Sequence, residues 1–310
     1  MIDIRLLINK GVHFGHQSSR GNPKMKPYIW GKKNSIDIID VTKTVHQLEK
    51  AAQFVKRMAS EGKEILWCGT KKAAAPAILQ AGEETQSPFA AHRWIGGTLT
   101  NHVQVKKSVT KLLHLEDVLD KGGQQYTKKE LGIFTKQVER ARRNVGGLRN
   151  LAWPVGAVII VDVKKEHVAI REAIDRGIPV IALVDTNSDP SDISYVIPGN
   201  DDAPQAILCI VEYLIKAVQE GKELAKQRAA QESADRAEKA KTAQASAPQL
   251  SEEEVVLKAQ LAAVEAALGG EEGGDKSARS KAGPSRTRRP AHGDRRGGAS
   301  KAPRKGPKES

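Results

Sequence analysis

His13 and His16 stand three residues apart in "GVHFGHQ", a spacing at which two imidazoles could share a metal ion if the segment were helical. Gly11 and Gly15 argue against a helix there, and no Cys or carboxylate close by in sequence completes a coordination shell, so no metal is expected. A second candidate is "GTKKAAAPA" (residues 69–77). It lacks the GxxxxGK[ST] pattern of a nucleotide-binding loop, which leaves Lys71 and Lys72 beside a helix N-terminus, a general anion site. A third is the set Asp162, Asp185, Asp189, Asp201 and Asp202, which follow apolar runs at the positions where open α/β sheets bind ligands. A magnesium-dependent phosphoryl-transfer enzyme would place acids there. No Ser, Thr or Cys nucleophile with a paired base accompanies them, and "DTNSDP" and "PGNDDAP" also read as turns and helix caps.

The fourth candidate is residues 11–40. Arg20, Lys24, Lys26, Lys32 and Lys33 surround Tyr28 and Trp30, with Pro23 and Pro27 stiffening the path. Cations neutralise phosphates and aromatic rings stack on unpaired bases, so this composition suits a nucleic-acid docking surface. The competing reading is a solvated charge run around two core aromatics. "HRWIGGTLTN" (residues 92–101) again sets His92, Arg93 and Trp94 before a glycine pair that would let the backbone approach a partner closely.

The elements that must position these residues follow from periodicity. Val41, Val45, Leu48, Ala52, Val55 and Met58 have helical spacing, with Asp40 as N-cap and Gly62 as stop. "EILWCGT", "GAVIIVDV", "IPVIALVDT" and "SYVIPG" read as short strands, the middle two continuous enough to be buried on both faces. Helices are expected over residues 71–84, over "EHVAIREAIDRG" and from about Ala203 to Gln219. This alternation predicts parallel strands joined by crossover helices. Residues 101–150 break the rhythm. Val105, Val109, Leu112, Leu115 and Leu119 form one stripe, and Leu131, Phe134, Val138, Ala141 and Val145 form another behind a Thr127–Glu130 capping box. Two such helices make an inserted αα-hairpin arm with basic outer faces. The expected division is an α/β domain over residues 1–100 and 151–225, the arm over 101–150, an Ala/Glu-rich helical extension over 226–275, and a disordered basic tail over 276–310. Within the extension, residues 251–268 carry a capping box and a Leu/Val stripe.

Charge is unevenly spread over the 310 residues and the net +13. Residues 1–60 hold eleven cations against four acids and residues 101–150 eleven against five, while residues 151–220 hold five against eleven. The last 35 residues hold twelve against two. A polyanionic partner is expected for the front half and the tail, with the acidic stretch facing elsewhere, toward protein. Cys68 and Cys209 lie in apolar runs and read as core, compatible with a reducing cytoplasm. Arg5 and Lys10 break the apolar start, so no signal peptide is expected, and no apolar run reaches the ~20 residues of a membrane span. The chain reads as soluble.

"GVHFGHQ", "NPKMKPYI", "GTKKAA", "HRWIGGTLTN", "GIPVIALVDTNSDP" and "YVIPGNDDA" occur in the order found in the bacterial and organellar ribosomal protein S-two family, and the likeness covers roughly residues 1–225. The resemblance implies a flavodoxin-like parallel sheet flanked by helices with an inserted coiled-coil arm. It implies a cytoplasmic, non-catalytic constituent of the small ribosomal subunit, seated on ribosomal RNA at the head–body junction. It further implies a part in recruiting ribosomal protein S-one, with no cofactor, metal, membrane or small-molecule substrate. Carried over to this chain, the RNA-facing residues are His16, Arg20, Lys24, Lys26, Tyr28, Trp30, Lys32 and Lys33 in front, with Lys71 and Lys72. Arg93, Trp94 and Asn101 follow, then Lys106, Lys107, Arg142 and Arg143 on the arm. The chain departs from the family at Ser19 and Gly21, where members often carry Arg or Trp, and in its length beyond about residue 225.

Overall fold

The computed structural model describes residues 2–122 and 126–245, together with Gln260. The expected helix at 251–268, apart from Gln260, and the basic tail at 276–310 lie outside the described residues. In chain order the elements are α1 (Ile4–Asn9), β1 (Phe14–Gln17), β2 (Ile29–Lys33), β3 (Ile36–Ile39), α2 (Val41–Ser60), β4 (Glu64–Cys68), α3 (Ala75–Thr85) and β5 (Phe89–Ala90). They continue with α4 (His102–Asp120), α5 (Lys128–Val145), β6 (Val155–Val161), α6 (His167–Asp175), β7 (Val180–Val184), β8 (Tyr195–Pro198) and α7 (Pro204–Ala245).

The main sheet is parallel, in the order β5-β4-β6-β7-β8. Counted by its own strands this is 2-1-3-4-5, the flavodoxin-like order, with the reversal between β4 and β6. The two-residue period of a strand divides its side chains between two cores. Ile65, Trp67, Ala157, Ile159, Ile181 and Leu183 pack with α2, α3 and α7 on one face. Leu66, Cys68, Val158, Ile160, Ala182 and Val184 pack with α6 and the root of the α4–α5 pair on the other. Both faces are therefore covered, as the unbroken Ile/Val runs require. The stripes expected on the arm meet each other: Val105, Val109, Leu112, Val138 and Val145 are buried, and Thr127 and Glu130 close the capping box.

Two features differ from the sequence expectation. The stretch 11–40 contains a second, antiparallel sheet in the order β1-β3-β2, its β2–β3 hairpin turning through Asn34 and Ser35 with φ of 50° and 60°. Helix α3 begins at Ala75 and not at Lys71, because residues 71–74 form a turn (Ala74 N–H to Lys71 O, 2.9 Å) and Pro76 sets the first helical turn. The final domain helix, expected to Gln219, and the start of the expected helical extension form one unbroken helix to Ala245.

One buried carboxylate organises "HRWIGGTLTN". Glu172 on α6 accepts hydrogen bonds from Trp94 Nε1 (3.0 Å), from the backbone N–H of Gly97 (2.9 Å), Leu99 (3.0 Å) and Thr100 (3.2 Å), and from the Thr100 hydroxyl. Gly97 is needed for the turn itself, at φ +90°, and a side chain would press on Asn101. Burial would raise the Glu172 pKa, but Trp94 and the three backbone donors outweigh it and hold it below the ordinary 4.5. A carboxyl whose folded pKa is depressed stabilises the fold above its unfolded value and loses that contribution as pH falls through the folded one. Glu172→Gln is therefore expected to lower stability by about 2–3 kcal/mol at pH 7. Urea denaturation should show the deficit shrinking once the pH drops below the usual Glu range; an equal deficit at every pH would contradict this account.

Candidate nucleic-acid interface

The hairpin of β2 and β3 presents the most exposed large apolar side chain among the described residues, Trp30, at 78% exposure. Its indole lies over a groove of about 320 Å³ bordered by Asn22, Pro23, Lys26, Ile29 and Lys32. Lys26 and Lys32 on its border, and Arg20 and Lys33 in the same segment, are exposed and form no ion pair among the described residues. Tyr28 differs from its neighbour: it is half-buried and packs beside the fully buried Met25 against the core of the α6 face. One aromatic anchors the segment, and the other stands free.

What holds this surface in place is a polar junction at the C-terminal edge of the main sheet. Gly15 on β1 runs so close to the turn after β7 that a Cβ would sit 2.6 Å from Thr186 Cγ2. The His16 N–H donates to Thr186 Oγ1 (2.9 Å) and the Asn22 N–H to Thr186 O (2.7 Å). The His16 ring spans two carboxylates, with Nδ1 3.0 Å from Asp185 and Nε2 3.1 Å from Asp202. Its hydrogen bond with Asp185 raises its pKa above the ordinary 6.5, against the effect of burial. Beside it the Lys71 ammonium lies 2.5 Å from Asp202, 2.7 Å from Asp201 and 3.6 Å from Asp162. Burial would lower the pKa of Lys71, but its hydrogen bonds to Asp201 and Asp202 prevail and raise it. Burial pushes Asp201 up to about 6 in spite of Lys71.

The sequence expectation about metal was drawn from nearby residues only; folding supplies distant ones. Ligand atoms of His16, Asp185 and Asp201 lie within 4.8 Å of one another, a set that could hold a cation, although Lys71 already brings a positive charge to Asp201. The strand-end aspartates singled out above do converge, apart from Asp189, which pairs with Lys24 at 2.7 Å.

These contacts show what each residue expected to face RNA touches within the chain. Lys71 is not an open anion site, because its charge is shared among carboxylates, while Lys72 next to it is exposed. Trp94 is 9% exposed and tied to Glu172, so its ring has no free face for a base; Arg93 beside it is exposed. His16 is bound between acids, and Lys24 meets Asp189. On the arm, Lys106, Lys107 and Arg143 are exposed, and Asn101 is exposed at the start of α4 without capping it through its side chain. Arg142 instead joins Arg149 on Glu116, at 2.8 and 2.6 Å. Glu116 and Glu172 were missed in the sequence because nothing local distinguishes them from solvated helix acids.

The description "Ribosomal protein S2" belongs to the family profile that matches residues 7–221. The chain is 44% identical over 223 residues to the small ribosomal subunit protein uS2 of Micrococcus luteus, covering 71% of this chain and 78% of that one. It is 41% identical over 223 residues to the uS2 of Kocuria rhizophila, with the same coverage. It is 43% identical over 217 residues to the uS2 of Protochlamydia amoebophila, covering 70% and 80%.

The junction yields a test. Lys71→Met leaves Asp162, Asp201 and Asp202 without their shared cation, and the expected loss is about 2 kcal/mol at pH 7, lowered from a fully buried pair by the partial exposure of Lys71. An acid with a raised folded pKa destabilises the fold as pH climbs past its unfolded value, so the deficit should grow from pH 5 to pH 8. Denaturation curves at both pH values check this; a deficit that is larger at pH 5 would refute the assignment.

Proposed function

The chain belongs to the ribosomal protein S2 family, structural components of the small ribosomal subunit and not enzymes, and from that premise we propose that the face around Trp30 docks on small-subunit ribosomal RNA. The observation that carries this reading is a tryptophan at 78% exposure on a groove it shares with Lys26 and Lys32, with Arg20 and Lys33 exposed as well and none of the four engaged with an acid among the described residues. Phosphates would lie on the cations and an unpaired base on the indole. Lys72, Arg93, Lys106, Lys107 and Arg143 are exposed as well and would supply further cations, the last three on the arm. We place the protein in the cytoplasm, at the head–body junction of the subunit, where it helps recruit ribosomal protein S-one. The division into an RNA-docking α/β domain, an arm at residues 101–150 and a basic tail that adds non-specific affinity belongs to the same proposal.

Charge neutralisation of six to ten phosphates makes affinity fall by ~10³–10⁵ between ~50 and ~200 mM salt. Binding of the full-length protein to small-subunit RNA should show that steepness, and a flat response would count decisively against it. Replacing Lys26, Lys32 and Lys33 with Ala should flatten it, and Trp30→Ala should cost about 1–3 kcal/mol of binding if a base stacks there. Thermal melting should be unchanged in both variants; unaltered incorporation into subunits would show that the patch is only solvated surface.

A further inference from the structure

Of the eleven acids between residues 151 and 220, four point inward, while Asp175, Asp192 and Glu212 are exposed. Glu166, Glu172, Asp185 and Asp201 are buried, where they accept hydrogen bonds from Thr70, from the loop that starts at Trp94, from Thr186 and from Lys71. Asp189, Asp202 and Glu220 face Lys24, Lys71 and Lys56. The solvent side of α6 is cationic toward its start, with the exposed Asp175 at its other end. Lys164 just before the helix, His167 in its first turn and Arg171 one turn further on are all exposed. Neither Lys164 nor Arg171 forms an ion pair among the described residues.

These three side chains line a groove of about 400 Å³ with an aliphatic floor of Val163, Ile170 and Ile193. The turn after β7 makes the opposite lip, with Asn187, Asp189 and Asp192. Asn22 borders both this groove and the one beneath Trp30. The two grooves are therefore neighbours, with Asn22 between them.

We propose that the docking surface passes over Asn22 into this groove, and that its occupant is a further phosphate–ribose segment of the same RNA, held by Lys164 and Arg171. The proposal rests on the reading of the Trp30 face as the RNA contact. The groove has cations on one lip and acceptors on the other, and a nucleotide chain offers the complement of both. Its phosphates meet Lys164 and Arg171, while ribose 2′-hydroxyls and base amino groups donate to Asp192 and Asn187. An acidic peptide would match only the first lip and would set its carboxylates against Asp192.

The test compares full-length variants on small-subunit ribosomal RNA as probe across a salt series. Lys164→Ala with Arg171→Ala removes two phosphate contacts, so the slope of log affinity on log salt should lose roughly 1.5 to 2. Lys164→Glu with Arg171→Glu should lose more. The Lys26, Lys32 and Lys33 alanine variant runs alongside. If it loses slope while the α6 variants keep the native one, the groove proposal is overturned and the Trp30 reading stands. If neither variant moves, that reading fails and takes the groove with it. Crosslinks from the unmodified protein in assembled subunits guard against a folding defect in the variants: Arg171 joined to RNA supports the proposal, and Arg171 joined to protein overturns it.

Discussion

The Lys71 ammonium sits among Asp162, Asp201 and Asp202 beside the point where the strand order reverses between β4 and β6. In an open α/β sheet that crevice is the natural place for a ligand. Here the chain fills it with its own cation. Lys71 thereby links the turn after β4 to the turns after β6 and β8. His16 then attaches the small antiparallel sheet to the same cluster through Asp185 and Asp202. The position of Trp30 relative to the main sheet therefore depends on carboxylates far from it in sequence.

The same arrangement resolves the charge pattern. Counted along the chain, residues 151–220 are acidic and would repel RNA. In three dimensions many of those carboxylates are internal acceptors: Glu166 for Thr70, Glu172 for the loop from Trp94 to Thr100, Asp185 for Thr186 and His16. An ionised acid in such a place is stabilised by several short donors. Linear charge counts ignore burial: four of the eleven acids there are buried, while Asp175, Asp192 and Glu212 remain exposed.

What the sequence made legible was whatever depends on short-range pattern. β6 and β7 were readable because a strand covered on both faces must be apolar throughout, and α2 because its stripe has a single period between an Asp cap and a Gly stop. The α4–α5 pair was readable for the same reason, down to the Thr127 cap. The antiparallel sheet was not legible: its strands are four or five residues long, its ladders carry irregular register, and no clean alternation survives. Pairings were not legible either. Lys71 and Lys72 look equivalent in sequence, yet one turns inward to an acid 130 residues away and the other outward. Trp94 beside Arg93 looks like a stacking platform until its acceptor, 78 residues on, closes over it.

A docking surface made of strands has an entropic advantage over one made of loose chain. The backbone of β2 is fixed by its ladder to β3 and by the Asn34–Ser35 turn, and Met25 and Tyr28 root the preceding residues in the core. Association then costs mainly the rotamer freedom of the lysines and the indole, about 0.5–1.5 kcal/mol for each immobilised side chain, and not the ordering of a whole segment. A disordered cationic tail would bear the backbone cost as well, near 1–2 kcal/mol per residue fixed. The carboxylates that hold β1 and the 94–100 loop thus serve the proposed contact by keeping the front surface rigid.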